Sequence, residues 1–360
     1  MNENNSLVIF TKAALMLAEA DTIQKAKELK SLALTAMDWA KRKGMGEAAI
    51  QHCRSYALEA ERKMGEMLKV TDRAQGKRTD LVTKRDQVND IPTLADLGLT
   101  KKESSEAQML ADLPSNVFEE IRIGKKTKSK AKKEKNIQVR KKRLIEETKA
   151  AIIERPLIHA IDCIKYLAKV QPIDLLLTDP PYFTNGDYTD QVSAYLKQVK
   201  PTGQAYVFAS TDPSEVAAYL GMDSHHMILA QILVWNYNNT GQRQPNDRYN
   251  SNYQLIFYYR GPDASAINKP GDGTHQYACQ TINAPDARIG DRFHEWQKPM
   301  ELIERLIRNS SNIGDFVFDP FAGTGTTILA AAKLGRKADG CEIDDDNIKI
   351  CIERGCIHVS

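Results

Sequence analysis

Two short stretches of the chain carry residues whose types and spacing could do chemistry. The first is IDLLLTDPPYFTNGDY, residues 173–188, where an apolar run stops at Asp179, Pro180, Pro181 and Tyr182. Consecutive prolines end regular structure and fix φ near about −65°, so the acid and the ring keep a constant separation on a stiff loop. The stretch reads as a strand that hands its C-terminal end to chemistry. The second is DFVFDPFAGTGTTILAAAKLG, residues 315–335. Here a strand ends at Asp319, and Phe321 leads into a glycine-rich turn of Gly323, Thr324, Gly325 and Thr326. A helix starts at once.

Glycine lets the backbone take positive φ and approach a ligand closely, and a helix N-terminus offers free amides. Seventeen residues beyond Gly325, the next strand ends at Glu342 and Ile343. An acid there can accept both hydroxyls of a ribose. Two ligands fit this outline. A dinucleotide fold gives a similar pattern, but GTGTT does not complete GxGxxG, and Asp319 ahead of the glycines suits an amino group rather than a pyrophosphate. S-adenosylmethionine, with a ribose, an adenine, an ammonium and a carboxylate, is the better match.

The elements that must position these residues begin near residue 155. Short apolar runs (IDLLL, AYVFAS, YQLIFYY, FVFD) alternate with helical stretches. Continuous apolar strands separated by helices predict an α/β fold, a parallel sheet covered by helices on both faces. An antiparallel addition is expected near residues 228–260. A polar, amide-rich stretch with Asn236, Asn238, Asn239, Gln242, Arg243 and Gln244 either contacts bases or is a plain loop.

The N-terminal part reads as all-α. Ile23, Ala26, Ala33, Met37 and Ala40 follow helical spacing, as do Ala49, Cys53, Tyr56, Ala60, Met64 and Met67. Lys43–Gly46 is the turn between them. Their apolar stripe serves as core or as the seam of a homodimer. Residues 70–92 are polar and aperiodic, an exposed connection. Over residues 93–114 a short helix is expected to end at Gly98, with Thr100 and Glu103 forming a capping box on the next. That outline fits a helix-turn-helix or an ordinary helical hairpin. Residues 122–143 hold twelve Lys/Arg and one acid. Such density resists folding and suits phosphate contact, and it also suits a solvated linker or helix. The expected organisation is a helical domain over 1–121, a basic linker or helix over 122–154, and a catalytic domain over 155–360 with a variable segment at 236–293.

Composition narrows the function classes. Residues 1–150 hold 31 Lys+Arg against 22 Asp+Glu, whereas the remainder holds 19 against 25. That asymmetry suggests that the N-terminal part meets a polyanion. The six cysteines form no CxxC, so neither a metal site nor a disulfide framework is indicated, and reduced thiols point to the cytoplasm. No apolar run is long enough for a membrane span, and the first residues lack the features of a secretory leader.

Together the motifs resemble the DNA amino-methyltransferases of the DPPY type, in their permuted β-class order. The likeness covers roughly residues 155–360. Asp179-Pro180-Pro181-Tyr182 is similar to the catalytic tetrapeptide, Asp319 through Thr327 to the cofactor loop, and Gly340 through Asp344 to the ribose strand. His294 through Pro299 is similar to the HxxQKP-like approach to the cofactor helix, and Ile161-Asp162-Cys163 to the place where the family's acid reaches the cofactor adenine. Glu295 and Trp296 depart from the proline and threonine frequent in the family.

The resemblance implies a doubly wound Rossmann-like methyltransferase sheet. It implies transfer of a methyl group from S-adenosylmethionine to adenine N6 in double-stranded DNA. Asp179, Pro180, Pro181 and Tyr182 are the implied catalytic residues. Asp162, Lys298, Asp319, Phe321, Gly323, Thr324, Gly325, Thr326, Glu342 and Ile343 are the implied cofactor-binding set. Cytosine N4 is the alternative target, and a DNA-binding adaptor with an inactive methyltransferase fold is the alternative role. A glutamine or RNA methylase would tend to carry asparagine in place of Asp179. No cysteine follows a proline, which excludes the Pro-Cys nucleophile of cytosine-carbon methylation.

Overall fold

The computed structural model describes residues 16–71, 92–182, 186–239, 249–268 and 277–359. Phe183, Gln242, Arg243, Gln244 and most of the 70–92 connection lie outside them. The chain forms two compact units, Met1–Asn136 and Ile137–Ser360.

The first unit is helical. Helix α1 (Ile23–Arg42) starts at Thr22, whose side chain accepts from the Lys25 amide. Gly44, at φ +64°, makes the turn to α2 (Glu47–Val70). Ile23, Ala26, Ala60 and Met64 are buried, as their spacing requires. Residues 93–98 differ from the expected short helix. They close a single turn, with the Leu97 amide on the Thr93 carbonyl at 3.1 Å and Gly98 left-handed at φ +66°. Isolated helix of that length does not repay its nucleation cost. Helix α3 (Lys101–Ala111) carries the full capping box of Thr100 and Glu103. Asp112, Leu113 and Pro114 then lead into α4 (Ser115–Arg122). At Gly65 a Cβ would lie 2.0 Å from the Ala107 carbonyl oxygen, so α2 and α3 cross too closely for any side chain there.

The basic run is ordered as helix α5 (Lys128–Ala151), inside which the unit boundary falls. Counter-charges explain why its first half folds. Lys126 pairs with Glu120 at 2.7 Å and Glu134 at 3.1 Å, Lys135 pairs with Asp112, and Lys128 meets the buried Glu61. Ala131 is buried beneath them.

The second unit is an α/β sandwich around one nine-stranded sheet. In chain order the strands are β1 (Leu157–Ala160), β2 (Ile173–Thr178), β3 (Val199–Ala209), β4 (Ile228–Asn236), β5 (Tyr253–Arg260), β6 (Cys279–Thr281), β7 (Phe316–Asp319), β8 (Lys337–Glu342) and β9 (Ile357–Val359). Their spatial order is β6-β4-β5-β3-β2-β7-β8-β1-β9. Strand β5 runs antiparallel to both β3 and β4, the expected antiparallel addition. The other pairings are parallel.

Side-chain alternation divides the core into two layers. Leu175, Leu177 and Val317 pack against helices α9 (Met300–Ser310) and α10 (Thr326–Lys333) on one face. Leu176, Phe316 and Phe318 pack against α7 (Thr189–Leu196) on the other. Short helix α6 (Cys163–Tyr166) follows β1, α8 (Pro213–Gly221) follows β3, and α11 (Asp345–Arg354) follows β8. Among the described residues no helix is long and apolar enough to cross a membrane.

Candidate active site

Strands β1, β2, β3, β7 and β8 are mutually parallel, so their C-terminal ends share one edge of the sheet. From β2 the chain proceeds to β3 on one side. From β7 it proceeds to β8 on the other. The loops that leave β2 and β7 therefore diverge, and the crevice between them is the ligand site of an open α/β sheet. The loop after β2 carries Asp179, and β7 ends on Asp319. A hydrogen bond of 2.8 Å from Thr178 Oγ1 to Asp319 Oδ1 ties the two strand ends together.

A cavity of about 1310 Å³ opens at this crevice. One small ligand typically occupies about 300–1,000 Å³, so there is room for two reactants side by side. Asp179, Pro180, Pro181 and Tyr182 line it. So do Asp319, Phe321, Gly323, Thr324 and Thr326, together with Asp162, Glu342 and Ile343. Gly325 is not among the lining residues. It caps α10 in the left-handed conformation, φ +81°, and a Cβ there would lie 2.4 Å from Cys351 Sγ. Its glycine is required by packing beneath the turn.

Electrostatics distinguish the two acids. Asp319 is almost wholly buried, and burial pushes its carboxyl up to about 7, despite hydrogen bonds from Thr178, Thr327 and the Phe321 amide. The negative charge of Asp179 pushes in the same direction. Burial also raises the Asp179 carboxyl, opposed first by the charge of Lys298. The Lys298 ammonium, on the segment ahead of α9, pairs with Asp179 Oδ2 and donates to the Tyr182 hydroxyl at 3.2 Å. Gln254 Nε2 on β5 donates to the same hydroxyl at 2.6 Å. Burial pushes the Tyr182 phenol well up. Tyr182 thus has its ring fixed from two directions and stays neutral at ordinary pH.

The glycine turn is held by side-chain contacts. Arg354 on α11 is buried and donates to the Thr324 carbonyl at 2.7 Å and to Thr324 Oγ1 and Thr326 Oγ1 at 3.1 and 3.0 Å. Glu342 Oε1 accepts the Ile343 and Asp344 amides at 2.7 and 2.8 Å, which aims the carboxylate over the strand end. Gly323 is left-handed at φ +54°, and its nearest neighbour for a Cβ, Glu342 Oε2 at 4.0 Å, is at ordinary contact distance, so the backbone conformation is what favours glycine there. Asp162 is committed in part to capping α6, through the Ile164 amide at 2.8 Å. Asp344 caps α11.

Sequence reasoning missed Gln254, Arg354 and the loop after β3. Ser210 in that loop donates its hydroxyl at 2.6 Å to Glu215, which is buried in the first turn of α8 and also lines the cavity. None sits in a motif, and only the strand order brings them near Tyr182 or Thr324. Trp296 stands at the cavity, half exposed, with its ring edge-on to Tyr182 at 6.2 Å. Asn239, read as a candidate base contact, instead bonds the Ala284 backbone at 2.7 and 2.9 Å. Asn236 donates to the Asn252 carbonyl at 3.3 Å.

Comparison with known proteins follows this geometry. A family model described as DNA methylase, of the N6/N4 type, matches residues 173–353. The DNA adenine methyltransferase YhdJ of Escherichia coli (strain K12) is 27% identical over 246 residues, covering 56% of this chain and 82% of that protein. The Type II methyltransferase M2.DpnII of Streptococcus pneumoniae is 23% identical over 244 residues, covering 55% and 88%. The crystal structure of the M1.HpyAVI–SAM complex is 24% identical with a TM-score of 0.47, covering 55% of this chain and 98% of that one.

Proposed function

The chain belongs to the N6/N4 DNA methylase family, and from that premise we propose that it methylates adenine N6 in double-stranded DNA with S-adenosylmethionine as donor. The observation that carries the proposal is that residues of the Asp179–Tyr182 loop and of the turn after Asp319 line one cavity.

The donor set suits that cofactor. The turn is flanked by acids, Asp319 and Glu342, which line the cavity with it. Carboxylates at a glycine turn accept hydroxyls and ammonium groups and repel a pyrophosphate. Glu342 would take the ribose hydroxyls, Asp162 and Ile343 would border the adenine, and Phe321, Gly323, Thr324 and Thr326 would line the remainder. When bound, S-adenosylmethionine supplies a methyl group made electrophilic by its positive sulfur.

The protein's own part is to make an exocyclic amine nucleophilic. Its lone pair is conjugated with the ring, and attack requires the nitrogen to become tetrahedral. Asp179 accepts one N–H and the Pro180 carbonyl the other, which draws electron density onto nitrogen. The proton released as the new N–C bond forms leaves along the Asp179 hydrogen bond. Tyr182 gives the extruded base a face to stack on. An acid, where a serine is frequent in cytosine N4 enzymes, favours adenine, and the name of the E. coli relative agrees.

The helical unit would hold the duplex. Lys130, Lys132 and Lys133 are exposed on α5 and suit phosphate contact. Replacing all three by glutamate should weaken DNA affinity and flatten its salt slope by roughly 2–3, with cofactor affinity unchanged.

The deciding experiment is incubation with methyl-labelled cofactor and duplex DNA, followed by nucleoside analysis. N6-methyladenine is expected. N4-methylcytosine would move the target, and absence of transfer would leave a DNA-binding adaptor.

A further inference from the structure

Lys298, expected among the cofactor ligands, lines the cavity and is engaged there by Asp179 and Tyr182. Only 6% of it is exposed. Its ammonium pairs with Asp179 Oδ2 and reaches the Tyr182 hydroxyl, 119 and 116 residues away in the chain. The same nitrogen lies 5.1 Å from the centre of the Phe208 ring, 5.6 Å from that of Tyr182 and 6.0 Å from that of Trp235. Three rings and one carboxylate make a closed seat for a cation. The other carboxylate oxygen, Asp179 Oδ1, is buried with no hydrogen-bond partner among the described residues. A buried acceptor left open in this way costs roughly 1–3 kcal/mol unless something fills it.

We propose that Lys298 is a positioning residue for Asp179: it holds Oδ2, so that Oδ1 is the oxygen presented to the target amine. This rests on the reading of Asp179 as the acceptor of that amine. One oxygen is anchored to the protein and the other is free for the substrate, so the carboxylate cannot rotate to offer either at random. The titratable groups that act on Asp179 are Lys298, Tyr182, Asp319 and Tyr219. Lys298 is the cation among them. Without it, a carboxyl in this setting takes up a proton, and a protonated acid no longer draws on an N–H.

The test uses the full chain with Lys298→Met and Lys298→Arg. Lys298→Met should bind S-adenosylmethionine within about threefold of wild type, while kcat falls about 100-fold and the acidic limb of the pH–rate profile moves upward. Lys298→Arg should recover part of the loss, because it restores the charge. A second readout needs no turnover. In aspartate-labelled protein, the carboxyl resonance absent from Asp179→Asn should titrate at least about one pH unit higher in Lys298→Met than in wild type. Cofactor affinity falling in step with activity, with the Asp179 midpoint unmoved, would overturn the assignment and return Lys298 to the cofactor. If wild type transfers no methyl group to DNA, the parent reading fails, and the titration still decides whether Lys298 governs Asp179.

Discussion

Thr178 donates its hydroxyl to Asp319 Oδ1 at 2.8 Å, joining the end of β2 to the end of β7 across 141 residues of chain. The bond spans the point where the sheet's connections diverge and adds a side-chain tie to the backbone pairing of the two strands. Thr178→Val keeps the shape and removes the donor. It should destabilise the protein by about 1–3 kcal/mol, read by urea unfolding, and weaken cofactor binding more than DNA binding.

Asp319 gives the protein a defined pH dependence. Its carboxyl lies at about 7 in the folded chain against 3.8 ordinarily. Between those values the folded protein holds a proton that the unfolded chain has released. Stability of the ligand-free protein should therefore fall as pH rises from about 4 to about 7, by on the order of 4 kcal/mol at most. Asp319→Asn should lose that slope in urea titrations at pH 5 and pH 8, and be the more stable protein at pH 8. Affinity for a cationic ligand should rise with pH through about 7 in wild type and stay flat in Asp319→Asn.

Gly325 tests packing against ligand contact. Gly325→Ala places a Cβ 2.4 Å from Cys351 Sγ on a left-handed backbone. We expect a loss of roughly 2–4 kcal/mol. Adding Cys351→Ala should restore part of it by removing the closest contact, leaving the tight approach to Cys356 Sγ at 3.2 Å and a backbone term of about 1 kcal/mol. Full loss of cofactor binding in the double variant, at restored stability, would mean that Gly325 faces the ligand after all.

Arg354 should behave as a clamp on the glycine turn. Arg354→Met leaves the Thr324 and Thr326 acceptors without their donor in a buried setting. Cofactor affinity should drop about tenfold or more, with the DNA dissociation constant of the cofactor-free protein unchanged.

Tyr182 is held through its hydroxyl by Gln254 and Lys298. Tyr182→Phe should keep the stacking face and lose roughly tenfold in kcat, whereas Tyr182→Ala should lose at least about 100-fold and raise KM for DNA. Equal losses in the two would assign the role to the hydroxyl instead of the ring.

Much of the site was legible in the chain because it lies in local signals. Apolar runs that stop at Asp179 and Asp319 identify strand ends, since a parallel strand buried on both faces is apolar along its length and yields to polar residues where it leaves the sheet. Thr100 and Glu103 announce a helix start because a capping box is satisfied within four residues. Local signals left alternatives open where tertiary contacts decide. The lysines of 122–143 fit either a linker or a helix, and Glu61, Asp112 and Glu120 supply the opposite charges that let part of the run coil into α5.

What the sequence alone determined was which residues stand at strand ends and glycine turns, because backbone stereochemistry and burial of apolar runs act over a few neighbours. Which ends face one another was decided by the order of strands in the sheet, a matter of packing between segments 72 to 141 residues apart. Only that order brings Thr178 to Asp319, Lys298 to Asp179 and Gln254 to Tyr182. It also turns Gly325 away from the cavity and against Cys351, a contact that no periodicity in the chain encodes.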